Sequence, residues 1–385
     1  MNAWPFIAFS IVFAALVSAH FLPAFRSWRI SRHEQTSNID LRYVRLEDYF
    51  ARSFRFKLSE WLKLSVWAAD PDGSRLIRKG KEYIRISDVA EYPAETISNN
   101  ILAVEGSFKC YEACTFHREI YVRGDASIGS GTQLQSIATD GNLTLGTKVR
   151  IARWADSQGN MEIGAKSIIH SRATAGGTLL LKNGAQVKSA FAPLGCTSEK
   201  DPDIAAKSNE TLPPPIEFPS CATNAENENQ CGSGVDPSRL RMLSPDCWIY
   251  DGDFRPSKPL RFTAALIVRG NCDIPPGSVL EKDLKSRQSI SVGAGCLCRG
   301  NVIAEKAIWL GPFSRFCGIV HAGKTLRLCA GVQGGTEKAN VAAFAEETLS
   351  IEKNVIVYGK LASADLVFAV PASTASNMNS PKSKE

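Results

Sequence analysis

The chain has 385 residues, enough for one large domain or two ordinary ones. Its 44% apolar and 22% charged residues exclude a wholly disordered chain and a polytopic membrane protein. A net charge of +6 does not single out a nucleic-acid binder, and eleven cysteines, an odd number, exclude a fully paired disulfide framework.

Residues 3–25 carry no charge apart from His20 and are rich in Phe, Ile, Val, Ala and Leu. About 20 apolar residues cross the hydrocarbon core as a helix. No Lys or Arg precedes the run, as a cleaved signal peptide would require. The expectation is one retained transmembrane helix over residues 1–25. Arg26, Arg29 and Arg32 come directly after it. The positive-inside rule then leaves the bulk of the chain in the cytoplasm, where an odd cysteine count is at home. Residues 26–100 read as a juxtamembrane linker with an amphipathic helix over 44–64, where Phe50, Phe54, Leu58, Trp61 and Leu62 recur at helical spacing. That helix could lie on anionic lipid, pack on its own domain, or cover one end of the repeat region beyond residue 100.

From residue 101 the sequence repeats. Ile128, Leu145, Ile163 and Leu181 are spaced by 17, 18 and 18 residues, and Ile274, Val292, Leu310 and Leu328 by 18. Ile351 continues the column after an insertion. Six residues after them stands a second, mostly apolar position (Leu134, Ile151, Ile169, Val187; Leu280, Cys298, Phe316), with Gly334 the one miss. Six before stands a smaller third one (Val122, Thr139, Ser157, Ala175; Val268, Ser286, Ala304, Ala322). Gly131, Gly184, Gly277, Gly295 and Gly331, with Asn354, lie three residues after the first column, where a turn needs a positive φ.

A three-sided parallel β-helix, an all-β solenoid of ~18 residues per coil, accounts for these spacings. Its core ladder is Ile128, Leu145, Ile163, Leu181, Ile274, Val292, Leu310, Leu328 and Ile351. One coil buries three or four aliphatic side chains at roughly 1.5–3 kcal/mol each. Ordering its ~18 residues costs about 1–2 kcal/mol apiece, so coils are stable only when stacked. The first half is expected over 101–191 and the second over 248–362, about eleven coils in nearly continuous order. A Pro-rich irregular excursion, 192–247, separates them, and a polar disordered tail, 363–385, ends the chain.

Units such as VRGDASIGSGTQL, DGNLTLGTKVRI and VRGNCDIPPGSVL resemble those of the bactofilins, polymer-forming cytoskeletal proteins of bacteria. The resemblance covers residues 104–191 and 248–360. It implies a β-helix that assembles end to end without nucleotide, lies at the bacterial inner membrane and scaffolds envelope or morphogenetic proteins. It brings no catalytic, cofactor or metal residues. A full membrane span, about twice the usual number of coils and a long excursion depart from that family.

The alternative is a hexapeptide-repeat acyltransferase, which shares 18-residue coils and needs a histidine base. His117, His170 and His321 are the candidates, and the first two share one corner column. CYEAC at 110–114 and CLC at 296–298 lack the paired knuckles of a zinc site. The dispersed basic residues offer no stacking platform for nucleic acid. The expectation is a non-enzymatic, membrane-anchored scaffold that forms homo-oligomers or polymers and has an unidentified protein partner.

Overall fold

The computed structural model describes residues 47–64, 68–69, 74–79, 82–199, 216–217 and 235–370. The expected membrane span at 3–25 lies outside them. Among the described residues no helix is long and apolar enough to cross a membrane. The chain divides into two compact units, 1–49 and 50–385. Only Glu47, Asp48 and Tyr49 of the first are described.

The second unit is an all-β parallel solenoid of ~14 turns with ~18-residue coils. Each coil contributes a short strand to each of three faces. On the first face Tyr92, Cys110, Ile128, Leu145, Ile163, Leu181 and Ser198 lie in register. In the second half the register runs Phe254, Cys272, Ile290, Ile308, Leu326, Leu349 and Val367. Each half thus has seven coils. The nine ladder residues from Ile128 to Ile351 are all at most 3% exposed. Alternation does this: in a strand such as Leu143–Leu145, outer residues point in and the middle one points out.

Three more coils exist than the eleven expected. Strands Ala90–Tyr92 and Ile97–Ser98 already belong to a coil, although the repeat is legible in the sequence only from residue 101. Likewise one strand runs from Gln186 to Ser198, and the last runs from Ile356 to Ala369, past the expected start of the tail. These terminal coils carry Tyr92, Ser98 and Ser198 in columns that are mostly aliphatic elsewhere, so the periodic signal fades there. The 17-residue interval from Ile128 to Leu145 arises at one corner, where the register slips by one residue between Leu134 and Ser136.

The two halves do not follow one another in sequence order. Gln186–Ser198, the last coil of the first half, pairs antiparallel with Ile356–Ala369, the last coil of the second. Val187 faces Val367, Ala190 faces Leu361 and Thr197 faces Ile356. The sheet is continuous, but its chain direction reverses at this seam. The expectation of one nearly continuous solenoid therefore holds for the ladder and fails for its polarity. The chain leaves the seam at Glu199 and re-enters the solenoid at its far end.

The outer end of each half is finished in the same way on the third face. Arg75–Lys79 and Glu82–Ser87 form an antiparallel hairpin at one end, and Leu240–Ser244 and Cys247–Tyr250 form one at the other. Aromatic side chains fill the coil interiors there: Tyr92, Phe108 and Phe116 at one end, Tyr250 and Phe254 at the other. On the second face of that other end, Ile216–Glu217 adds a strand beside Leu260–Arg261.

Helix α1, Tyr49–Leu64, does not cap an end. It lies across the outside of the third face of the first half. Leu58 packs with Ile77, Ile84, Ile86, Ile101 and Ala103, and Ala51 packs with Ala138 and Trp154. Of the three placements open to this helix, packing on its own domain is the one its apolar side satisfies.

Candidate functional site

Corner chemistry accounts for most of the residues that stand out in the sequence. Three residues after each first-face strand the backbone adopts a positive φ. Glycine supplies it at Gly131, Gly184, Gly277, Gly295 and Gly331, and Asn354 does so at φ 58°. Glu95, Ala113, Lys148, Lys166 and Phe313 take the same conformation without that help.

A second corner carries a ladder of side-chain amides and carboxylates. Asp125 Oδ1 accepts from Asn142 N at 2.7 Å, Asn142 Oδ1 from Asn160 N at 2.9 Å, and Asn160 Oδ1 from Thr178 N at 2.9 Å. Asp283 and Asn301 continue the pattern in the second half, accepting from Asn301 N and Ile319 N. The glycine before each rung makes room: a Cβ on Gly141 would stand 2.3 Å from Asp125 Oδ1.

At a third position a small donor bonds the carbonyl 21 residues earlier. Ser167 donates to Gly146 O and Ser314 to Gly293 O, both at 2.8 Å. Cys114 and Cys296 occupy this column and point their Sγ at Pro93 O and Pro275 O at 3.2 Å. The cysteines of CYEAC and CLC thus alternate between serine-like corner positions and the apolar interior of Cys110 and Cys298. Burial pushes Cys110 up to about 11 and Cys196 up to about 12. All nine described cysteines are free thiols. Among the described residues no group of three or more His, Cys, Asp or Glu could hold a metal ion.

The histidines do not converge. Phe116 and Ile169 are in register three coils apart, so His117 and His170, each next in sequence, sit about 14 Å apart at strand spacing. Both are exposed. His321 lies in the second half, stacked on Phe344 with ring centroids 5.2 Å apart. The bulk at Phe313 and Phe316 is matched one coil on by Gly331 and Gly334, where a Cβ would meet those rings at 2.5 and 2.2 Å. Gly334, the weak member of its column in the sequence, is thus the space into which Phe316 packs.

The most elaborate polar site lies beneath α1. Arg55 Nη1 is 2.5 Å from Asp156 Oδ1, its Nε 2.8 Å from Asp140 Oδ1, and its Nη2 donates to Thr139 O at 2.6 Å. Tyr121 donates to Asp140 at 2.6 Å, and Thr174 donates to Asp156. Burial, then the bond to Asp140, drives the Tyr121 hydroxyl far above its usual range. Asp156 is 4% exposed, a carboxylate that water does not solvate. The network is a clamp: one guanidinium bridges two acids and fixes the helix on the face. Nothing in the repeat spacing singles out Arg55, Asp140 or Asp156. The available signal is an aspartate at 156 in a column whose neighbours are Ala138 and Thr174.

These features define a β-solenoid whose chemistry serves stacking. No protein-family model, curated protein or solved structure matches the chain.

Proposed function

We propose that the chain is a membrane-anchored, bactofilin-like structural scaffold, without enzymatic activity, that self-associates through its solenoid and localises envelope partners. The observation that carries this reading is the seam. Two coil ends of this sequence pair along a full turn, with small residues such as Ala190, Ala192 and Gly359 at the join. Pairing of coil ends is thus within the chemistry of the coils themselves. The outer ends remain for association between molecules. Among the described residues, Ala90–Tyr92 and Ile97–Ser98 pair on one side only, and Ile97 is 68% exposed.

In this proposal residues 3–25 anchor the protein in the bacterial inner membrane with the solenoid in the cytoplasm. Negative-stain microscopy of residues 40–370 without nucleotide is expected to show rods or sheets longer than one molecule. Monomers that persist at high concentration would remove the claim of self-association. A carboxy-terminal reporter active only outside the cytoplasm would reverse the orientation. Thioester turnover that disappears in His321→Ala would favour a hexapeptide-repeat acyltransferase instead.

A further inference from the structure

The seam relates the two halves so that coils can be counted outwards from it in both directions. On the third face, outward-pointing Thr174, Asp156, Ala138, Tyr121, Ala103 and Ile86 then correspond to Phe344, His321, Ile303, Lys285, Ile267 and Ile249. The first set is covered by α1, and all but Tyr121 are buried. In the second set Ile249, Ile267, Ile303, His321 and Phe344 are half-buried and Lys285 is exposed. The outward positions of the neighbouring first face are more polar, with Asp273, Ser291, Arg327 and Ser350 beside Trp309 and Phe368. An apolar strip therefore stands where its counterpart in the first half holds a helix.

We propose that this strip docks an amphipathic helix of a partner protein, carboxylate-bearing where α1 is basic. Size supports a helix. From Ile249 to Phe344 is five coil intervals, about 24 Å at strand spacing, and the 16 residues of α1 span about 24 Å at 1.5 Å each. The strip is one side chain wide, well short of the roughly 800 Å² per partner of a stable protein dimer. Charge specifies the partner. Under α1 the acid is on the solenoid, at Asp156, and the base, Arg55, on the helix. On the strip the position of Asp156 is taken by His321 and that of Tyr121 by Lys285, so the carboxylate belongs on the incoming helix. The strip's midline has no carboxylate, and Glu346 Oε1 lies 3.8 Å from His321 Nε2 at the corner. This docking does not depend on end-to-end association, since a monomer and a polymer present the same strip.

The probe is a fluorescent peptide with the sequence of residues 49–64 carrying Arg55→Glu, titrated into the full-length chain. Saturable binding is expected. It should weaken by about thirtyfold or more in Ile303→Asp, the loss typical of a central apolar anchor. Ile267→Ser provides a milder second variant, and Thr144→Asp on the first face should change nothing. Equal thermal unfolding of the variants checks their folding. Absence of binding, or binding indifferent to both strip variants, overturns the proposal. So does stronger binding of the unsubstituted peptide at the strip. A dimer that Ile303→Asp converts to monomer would give the strip to a second copy. Binding that appears only after deletion of residues 218–234 would give it to the chain itself. Either result refutes a partner helix.

Discussion

At the scale of single residues, the solenoid is held by corner positions as much as by its apolar interior. Gly131 adopts φ 71°, and a Cβ there would meet nothing within 4 Å. The cost of a side chain is therefore purely conformational. Gly131→Val is expected to destabilise by about 1–2 kcal/mol and Gly131→Asn by well under that, because Asn tolerates the left-handed region. Urea unfolding of the two variants measures the difference. The buried thiols make a second prediction. Cys110 and Cys196 titrate near 9 in the unfolded chain and at about 11 and about 12 in the folded one. Their contribution to stability is whole below pH 9 and is lost as pH rises from 9 towards 12, because only the unfolded chain sheds those protons there. Each thiol gives a slope of about 1.4 kcal/mol per pH unit, from pH 9 to about 11 for Cys110 and to about 12 for Cys196. Cys196→Ser, whose hydroxyl does not titrate, should flatten the decline in unfolding midpoint between pH 9 and 11. The glycine corners are legible in the sequence, because a positive φ leaves a compositional trace. Glu95, Ala113, Lys148, Lys166 and Phe313 occupy the same conformation and leave none, so those turns are invisible there.

At the scale of elements, α1 and the face beneath it form one unit. Its amphipathic spacing is readable in the sequence, but the choice among lipid, solenoid face and coil end is not. That choice is made by Arg55 against Asp140 and Asp156, residues far apart in sequence and outside the inward-facing columns. Removing the guanidinium takes one cation away from two partly or fully buried carboxylates. Arg55→Ala is expected to cost about 3 kcal/mol, the usual penalty for breaking one side of a buried ion pair. Asp156→Asn, which keeps an acceptor for Thr174, should cost less. The loss should be local. Limited proteolysis should cut Arg55→Ala within residues 49–64 while the coils from Ala90 onwards stay intact. Cleavage spread evenly over the coils would show instead that the helix supports the ladder. The same unit explains why the outer face of the first half is apolar at Ile86, Ala103 and Ala138: these residues are interior once the helix is in place.

At the scale of the whole solenoid, the ladder is legible in the sequence and its reversal is not. An 18-residue period states which residues stack within a half. It is silent on whether the second half follows the first head to tail or meets it end to end, since inward positions alternate identically in both arrangements. The difference lies in the pairing along the seam, which Ser198 closes at one end. Ser198 N donates to Val355 O at 3.0 Å, and Val355 N donates to Ser198 Oγ at 2.9 Å. Stacked coils couple only to their neighbours, so among the described residues the cooperativity of the two halves passes through this join. Ser198→Pro removes the N–H and the hydroxyl together, and a proline inside a paired strand cannot be accommodated in the ladder. Ser198→Ala removes only the acceptor and should cost about 1–3 kcal/mol. With the seam opened, each half keeps its internal coil-to-coil pairing and should unfold on its own. Hydrogen exchange during a denaturant titration should then resolve two transitions in Ser198→Pro where the parent chain shows one, with the earliest loss of protection at the strands on either side of the join. If the proline variant still unfolds in a single step, the halves are coupled elsewhere, and the seam is a consequence of their association rather than its cause.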